Sequence, residues 1–168
     1  GYWSDGMYTA PSDEALIYDI KTMKEMGFNM LRKHIKIEPL RWYYHCDRLG
    51  MLVWQDMING GDVYHQSATT ILPAFALATG LKKTLGVKDT QENYKLFSRL
   101  DKKGREEYYI DAGRMIDTLY NSVSICMWVP FNEGWGQFDS AKAAEFFREK
   151  DPTRVIDHAS GWHDQGAG

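Results

Sequence analysis

Short apolar runs alternate with amphipathic segments along most of this chain. Four of the runs have the length and the β-branched or aromatic content of buried strands: residues 28–32, 51–55, 124–129 and 154–158. In the segments that separate them, apolar positions recur every three or four residues, which is the period of an amphipathic helix. The pattern therefore predicts strands that alternate with helices.

Start and stop residues mark the predicted helices. Ser12 is a suitable N-cap with two acidic residues after it, and Gly27 ends the first helix. Pro39 opens the second helix, because proline is favoured in a first turn. Two further helices are predicted from about Arg105 and over residues 139–150.

The alternation breaks down over residues 56–104. The glycine pair at 60–61 is followed by a moderately apolar stretch at 71–81 and then by a charged stretch. We expect an inserted lobe with a short helix, within a single domain that spans residues 1–168. Insertions of this length in a compact alternating fold are usually functional rather than connective.

Parallel strands joined by helices form either a doubly wound open sheet or a (β/α)8 barrel. No G-x-G-x-x-G or Walker loop follows any of the strands, which removes the main sequence support for nucleotide binding. Polar residues instead follow the strands, where a barrel gathers its reactive groups. These residues are Arg32 and His34, Asp56, Asn132 and Glu133, and Asp157 and His158 with Trp162. The pattern favours part of a barrel.

The strongest candidate for chemistry is the segment VPFNEGWG at residues 129–136. Asn132 and Glu133 follow an apolar strand, so one carboxylic acid is expected at the rim of the sheet. Trp135 and Phe138 are close enough in sequence to desolvate that acid, and a desolvated carboxylic acid is suited to donating a proton near neutral pH. The alternative is structural, with Glu133 capping the next helix.

Charge and composition exclude several classes of function. A formal charge of -3 and a pI near 6.0 argue against nucleic acid or an anionic membrane as the partner. No run approaches the roughly 18 apolar residues of a membrane span, and no Cys/His spacing resembles a metal site. We expect no cofactor. The compartment is left open, although a periplasmic or secreted location would suit an enzyme that degrades polysaccharides.

Aromatic residues make up 14% of the chain, with six Trp and ten Tyr. The apolar faces of sugar rings stack on such side chains, so this composition hints at a carbohydrate ligand. Protein interfaces are also rich in Trp and Tyr, which leaves a protein partner as the alternative.

Four sequence blocks together resemble the catalytic barrel of glycoside hydrolase family 2, the β-galactosidase and β-glucuronidase group. The blocks are GFNMLRKHIKIEP, LVWQDM, MWVPFNEGWGQFD and VIDHASGW, at residues 27–39, 52–57, 127–139 and 155–162. They are similar to the second to fifth strands, so the resemblance covers nearly the whole chain. It implies an α/β fold, a partial TIM barrel of about strands 2–5 with their helices, and a retaining β-glycoside hydrolase with a carbohydrate substrate.

The resemblance also implies roles for individual residues. Glu133 would be the general acid/base, because it matches the family's Glu after the Asn of strand four. Asn132 would bind the sugar near its 2-hydroxyl, and Arg32 would organise the site and its nucleophile. His34 is close to a substrate-contact position of the family.

Three more residues complete the predicted substrate site. Asp56 follows the third strand, where a turn or cap role beside Asn59 is the alternative. Trp135 and Trp162 are expected to stack on sugar rings, with core packing as the alternative. Residues 54–56 stand where β-galactosidases carry an acidic segment, so no family metal site is carried over.

A retaining mechanism needs two carboxylates about 5–5.5 Å apart, a proton donor and a nucleophile. The family nucleophile is a Glu near the end of strand seven, and the matched blocks stop at strand five. We therefore expect the nucleophile and the other strands to come from the rest of the same barrel, and the segment alone to be inactive. Its open sheet edges would favour self-association.

Two other functions stay open. One is a carbohydrate-binding remnant of a glycosidase barrel that has no turnover. The other is a structural α/β domain, in which the polar strand ends would not converge on one cleft.

Overall fold

The computed structural model describes Gly6, Ala10 and residues 12–81 and 86–168. The elements follow the chain in the order α1 (Asp13–Glu25), β1 (Met30–Lys33), α2 (Leu40–Leu49), β2 (Leu52–Asp56), α3 (Leu72–Thr79), α4 (Lys102–Leu119), β3 (Ile125–Val129), β4 (Phe131–Asn132), α5 (Ser140–Lys150), β5 (Val155–Ile156) and β6 (Ala159–Ser160). A π-helical turn, Ser67–Ile71, precedes α3, and a 3-10 turn, Gln91–Asn93, follows it. Within the described ranges, no helix combines the length and apolarity needed to cross a bilayer.

The main sheet has the strand order β1-β2-β3-β5, and every neighbouring pair is parallel. A second parallel ladder, β4-β6, pairs Phe131 with Ala159 and Asn132 with Ser160. Because all the strands run in the same direction, their carboxyl ends meet at one edge, as in a barrel. The predicted alternation and parallel pairing are confirmed.

Local hydrogen bonds explain where the helices begin and end. The side chain of Ser12 accepts a hydrogen bond from the amide of Ala15 at 3.3 Å, as expected for an N-cap. The helix predicted from Arg105 begins three residues earlier. The side chain of Asp101 caps it by accepting hydrogen bonds from the amides of Lys103 and Gly104.

All four predicted strands have ends within two residues of the observed ones, but the strand predicted over residues 154–158 is shortened at both ends. Only Val155–Ile156 forms β5, and the amide of Asp157 then donates to the carbonyl of Trp128 at 3.0 Å before the chain bends. On the neighbouring stretch of chain Pro130, which has no amide hydrogen, separates β3 from β4. The sheet therefore continues as a separate short ladder.

An aromatic cluster forms the core beneath β4. Phe138 is almost fully buried and packs edge-to-face on Tyr108 and Phe131, with ring centroids 5.2 and 5.4 Å apart. Tyr108 also stacks on Phe131 at 5.0 Å. Phe138 therefore lies in the core that supports the turn after β4, and its predicted desolvation of Glu133 stays a prediction.

The inserted stretch contains the predicted short helix, α3, and contacts the loop after β6. The amide of Val87 donates to Nδ1 of His163 at 3.1 Å, and Nε2 of the same ring lies 2.8 Å from the carbonyl oxygen of Ala68. These two bonds require the neutral ring with the proton on Nε2. Burial lowers the pKa of His163, which favours that neutral form.

Asp151, at the C-terminal end of α5, accepts hydrogen bonds from Trp128 Nε1 at 2.8 Å, from Thr153 and from Arg154. Burial disfavours its charged form, but these hydrogen bonds outweigh burial and lower the pKa of Asp151 from 3.8 to about 2. Its contribution to stability is therefore complete above about pH 4 and is lost as the pH falls toward 2.

We expect Asp151→Asn to lower the free energy of unfolding at pH 7 by about 2 kcal/mol. The difference from the parent chain should shrink as the pH falls from 4 toward 2, because both chains are then neutral at this position. Urea unfolding followed by tryptophan fluorescence measures it, with Asp111→Asn on the exposed face of α4 as the control. An equal loss at every pH would contradict the assignment.

Candidate active site

Arg32 connects three strand ends at the carboxyl edge of the sheet. Its Nε and Nη2 donate to the two carboxylate oxygens of Asp56 at 2.9 and 3.0 Å. Its Nη1 donates to Ser160 Oγ at 2.8 Å, and Nη2 also donates to Asn132 Oδ1 at 2.9 Å. Two-point pairing with a carboxylate fixes the plane of a guanidinium group. The polar ends of β1, β2, β4 and β6 therefore converge.

Asp56 lies beneath this network and is fully buried. In addition to Arg32, its Oδ2 accepts a hydrogen bond from the amide of Ile35 at 3.1 Å and lies 3.4 Å from His34 Nδ1. Protein donors thus use both oxygens of this carboxylate. The side chain of His34 is 56% exposed and stands at the same edge.

Glu133 begins the turn that follows β4. Its amide donates to the carbonyl of Ser160 at 2.8 Å, and its φ of 52° lies in the left-handed region that side chains other than glycine rarely adopt. Strained backbone of this kind is found preferentially at functional sites. A Cβ atom on Gly161 would lie 3.0 Å from Glu133 Cγ, so the glycine leaves room for the glutamate side chain.

The carboxylate that caps α5 belongs to Asp89 and not to Glu133, for which capping this helix was the alternative structural role. Oδ2 of Asp89, from the inserted stretch, accepts hydrogen bonds from the amide of Ser140 at 3.0 Å and from Gln137 Nε2 at 2.8 Å. Among the described residues, the half-buried carboxyl group of Glu133 has no hydrogen-bond or ion-pair partner. It is therefore free to meet a ligand.

Two tryptophans flank the turn. The ring of Trp135 lies 5.0 Å from the ring of Tyr64, which comes from the inserted stretch, and Trp162 follows β6. Both side chains are half-buried, and each indole Nε1 is buried without a hydrogen-bond partner in the described part of the chain. Buried donors in proteins almost always have a partner, so these two N–H groups are exceptions in the described part of the chain.

Glycines allow the turn to pack tightly against its neighbours. A Cβ on Gly134 would lie 2.8 Å from the ring of His163, and a Cβ on Gly136 would lie 1.9 Å from the carbonyl oxygen of Gly60. The φ angles of Gly134 and Gly136 are 73° and 67°, which glycine adopts without steric cost. The turn after Glu133 is thus confined by the inserted stretch and by the loop after β6.

Sequence reasoning missed two residues of this arrangement. Ser160 bonds both Arg32 and the backbone of Glu133, but only the pairing of β4 with β6 reveals it. Tyr64 is one of many tyrosines in the chain, and nothing in its neighbourhood marks it. The sequence did contain one signal of close packing: Gly134 and Gly136, whose backbone approaches His163 and Gly60.

A cavity of about 920 Å³ lies outside this arrangement, between the loop after β2 and helix α4. Its lining includes Asn59, Gly60, Arg99 and Tyr108, but neither Arg32, Asn132 nor Glu133. In the described ranges no cluster of three or more His, Cys, Asp or Glu residues has the geometry to hold a metal ion.

Comparison with known sequences and structures is consistent with the geometry. The family model described as "Glycosyl hydrolases family 2, TIM barrel domain" matches residues 9–167. The β-galactosidase of Streptococcus thermophilus is 24% identical over 145 residues, which cover 86% of this chain and 12% of that protein.

Two solved structures share the fold. The β-D-glucuronidase of Dictyoglomus thermophilum superposes with a TM-score of 0.59 at 18% identity, over 86% of this chain and 22% of that chain. The β-galacturonidase of Eisenbergiella tayi superposes with a TM-score of 0.52 at 19% identity, over 88% of this chain and 22% of that chain. The chain thus spans less than a quarter of the length of each of these three relatives. It belongs to glycosyl hydrolase family 2 and forms part of the TIM barrel domain of that family.

Proposed function

We propose that this chain supplies the proton-donating half of the active site of a retaining β-glycoside hydrolase, with Glu133 as the general acid/base. One observation carries the proposal. Arg32 joins Asp56, Asn132 and Ser160 at the carboxyl edge of the sheet. The carboxyl group of Glu133, which has no partner among the described residues, is next to Asn132 in the chain. Family membership supports a glycosidase chemistry for this edge.

The hydrogen bonds suggest how the polar residues divide the work. Oδ1 of Asn132 is occupied by Arg32, so its Nδ2 is the group left to donate to the sugar near the 2-hydroxyl. Asp56 is buried beneath Arg32, and we therefore assign it to orienting the guanidinium rather than to touching the sugar. The exposed His34 is assigned to a substrate contact.

The aromatic side chains suit a sugar ligand. Trp135, together with Tyr64, and Trp162 offer ring faces on which a pyranose could stack. We assign both tryptophans to substrate binding.

In the proposed reaction, Glu133 protonates the glycosidic oxygen as the bond from that oxygen to the anomeric carbon breaks. A second carboxylate attacks the anomeric carbon to form a glycosyl-enzyme ester. Glu133 then removes a proton from the water that hydrolyses the ester, which restores both groups. We assign the nucleophile to the remainder of the barrel, whose strands would pair with the outer edges of β1 and β5, and the segment alone is expected to be inactive.

The stereochemistry of the product tests this proposal. Proton NMR follows the full-length gene product acting on 4-nitrophenyl β-D-galactoside and β-D-glucuronide. The β anomer of the free sugar should appear first and the α anomer only later by mutarotation, because two displacements retain configuration. First appearance of the α anomer would contradict the two-carboxylate mechanism.

A second candidate is a carbohydrate-binding remnant, which is favoured by the expected absence of a nucleophile from residues 1–168. Titration of the tryptophan fluorescence with β-D-pyranosides distinguishes it. A saturable change without hydrolysis by the full-length gene product would support binding alone. Absence of both binding and hydrolysis would exclude the two candidates together.

A further inference from the structure

Arg99, at the end of the inserted stretch, is a buried cation. Only 6% of the residue is exposed, and no described carboxylate lies within ion-pair distance of it. Its guanidinium instead packs over the rings of Phe138 and Tyr108, at 5.2 and 5.6 Å from their centroids. Burial lowers its pKa. A buried charge is costly unless ion pairs, hydrogen bonds or similar contacts offset its lost hydration.

Among the described residues, the guanidinium of Arg99 makes one hydrogen bond, and it leads to the candidate active site. Nε of Arg99 donates to the carbonyl oxygen of Gly136 at 2.6 Å, three residues after Glu133. Gly60 also packs against this guanidinium. A Cβ atom added to Gly60 would lie 3.4 Å from both Nη atoms of Arg99. Arg99 thus connects the loop after β2 with the turn at residues 133–136.

The two ends of that turn are fixed by different parts of the chain. At its start, the amide of Glu133 is bonded to the carbonyl of Ser160. At its end, the carbonyl of Gly136 is bonded to Arg99. Between these bonds, Glu133 keeps its left-handed backbone conformation, which an unrestrained turn would tend to relax.

We propose that Arg99 is a positioning residue for Glu133. Arg99 acts through the carbonyl of Gly136 to fix the direction of the glutamate side chain. The inference rests on the proposed role of Glu133 as the acid/base. A lysine could not replace this arginine, because only a planar guanidinium can donate through Nε and stack on two rings at the same time.

The first experiment measures the turn itself. In this chain, Arg99→Ala and Arg99→Lys should each raise the amide hydrogen-exchange rates of residues 133–136 by roughly tenfold, because one bond to a charged donor is lost. Amides in the middle of α4 should exchange as in the parent. Arg114→Ala, at an exposed position of α4, is the matched control and should change nothing.

Chemical rescue separates positioning from general packing. Arg99 lines the cavity of about 920 Å³, so methylguanidinium can reach the space left in Arg99→Ala. Millimolar methylguanidinium should restore slow exchange at residues 133–136, whereas methylammonium, which is not planar, should not. Unchanged exchange in both variants, or equal rescue by the two cations, would overturn the proposal.

The second experiment measures catalysis in the full-length gene product. Arg99→Ala should lower kcat by roughly tenfold with a smaller change in KM, and methylguanidinium should restore it. An unchanged kcat in an active enzyme would overturn the positioning role. If the unsubstituted enzyme hydrolyses no glycoside, the proposed function fails, but the exchange experiment still decides whether Arg99 holds the turn.

Discussion

Replacement of Glu133 by Gln is expected to lower kcat/KM of the full-length gene product by about 10²–10⁴-fold for β-glycosides of simple alcohols. Glutamine keeps the shape of the side chain but has no acidic proton to give to the glycosidic oxygen. An alkoxide is a poor leaving group, so its departure depends on that proton. The measurement is steady-state kinetics with methyl and nitrophenyl β-glycosides of the same sugar.

The dependence on the leaving group identifies the role of Glu133. An acidic nitrophenol departs without protonation, so bond cleavage with the nitrophenyl glycoside should be slowed far less than with the methyl glycoside. Glu145→Gln, at an exposed position of α5, is the matched control and should leave both rates unchanged. An equal loss for both substrates would show that Glu133 does not act as the proton donor.

Gly136→Ala is expected to lower the free energy of unfolding of this chain by about 2–5 kcal/mol. Two costs add. The φ of 67° is strained for alanine, and the new Cβ would lie 1.9 Å from the carbonyl oxygen of Gly60, so the backbone of one loop must move. Urea unfolding measures the loss, and the midpoint should fall without a change in the slope.

Gly80→Ala provides the matched control for this substitution. Gly80 ends α3 with a φ of 72°, close to that of Gly136, but nothing lies within 4 Å of its Cβ position. Alanine there should cost only about 1–2 kcal/mol, from the backbone conformation alone. Equal losses at the two positions would mean that the contact with Gly60 relaxes freely and that the turn is not confined.

The candidate site depends on the short ladder of β4 and β6. Pro130 ends the regular pairing of β3, and the two-residue ladder beyond it brings Asn132 opposite Ser160. Through this pairing, the hydroxyl oxygen of Ser160 accepts a hydrogen bond from the guanidinium of Arg32, and its carbonyl accepts one from the amide of Glu133. The separation of this ladder from the main sheet at Pro130 therefore contributes to the geometry of the site.

Two predicted side chains illustrate the limits of reasoning from sequence neighbours. Trp135 and Phe138 are both close to Glu133 in sequence, but Phe138 points into the aromatic core, whereas Trp135 pairs with Tyr64. The capping group of α5 likewise comes from Asp89, far away in the chain. Side-chain direction in an irregular turn depends on backbone conformations that residue types do not specify.

The sequence by itself determined the alternation of helices and strands, the parallel sheet and the polar strand ends, because periodicity and capping act over only a few residues. Tertiary structure alone decided which of those ends share hydrogen bonds. Arg32 and Ser160 are separated by 128 positions, and Arg99 reaches Gly136 across 37. Such contacts depend on strand register and on the paths of loops, and both are set by the packing of the whole fold rather than by any local pattern.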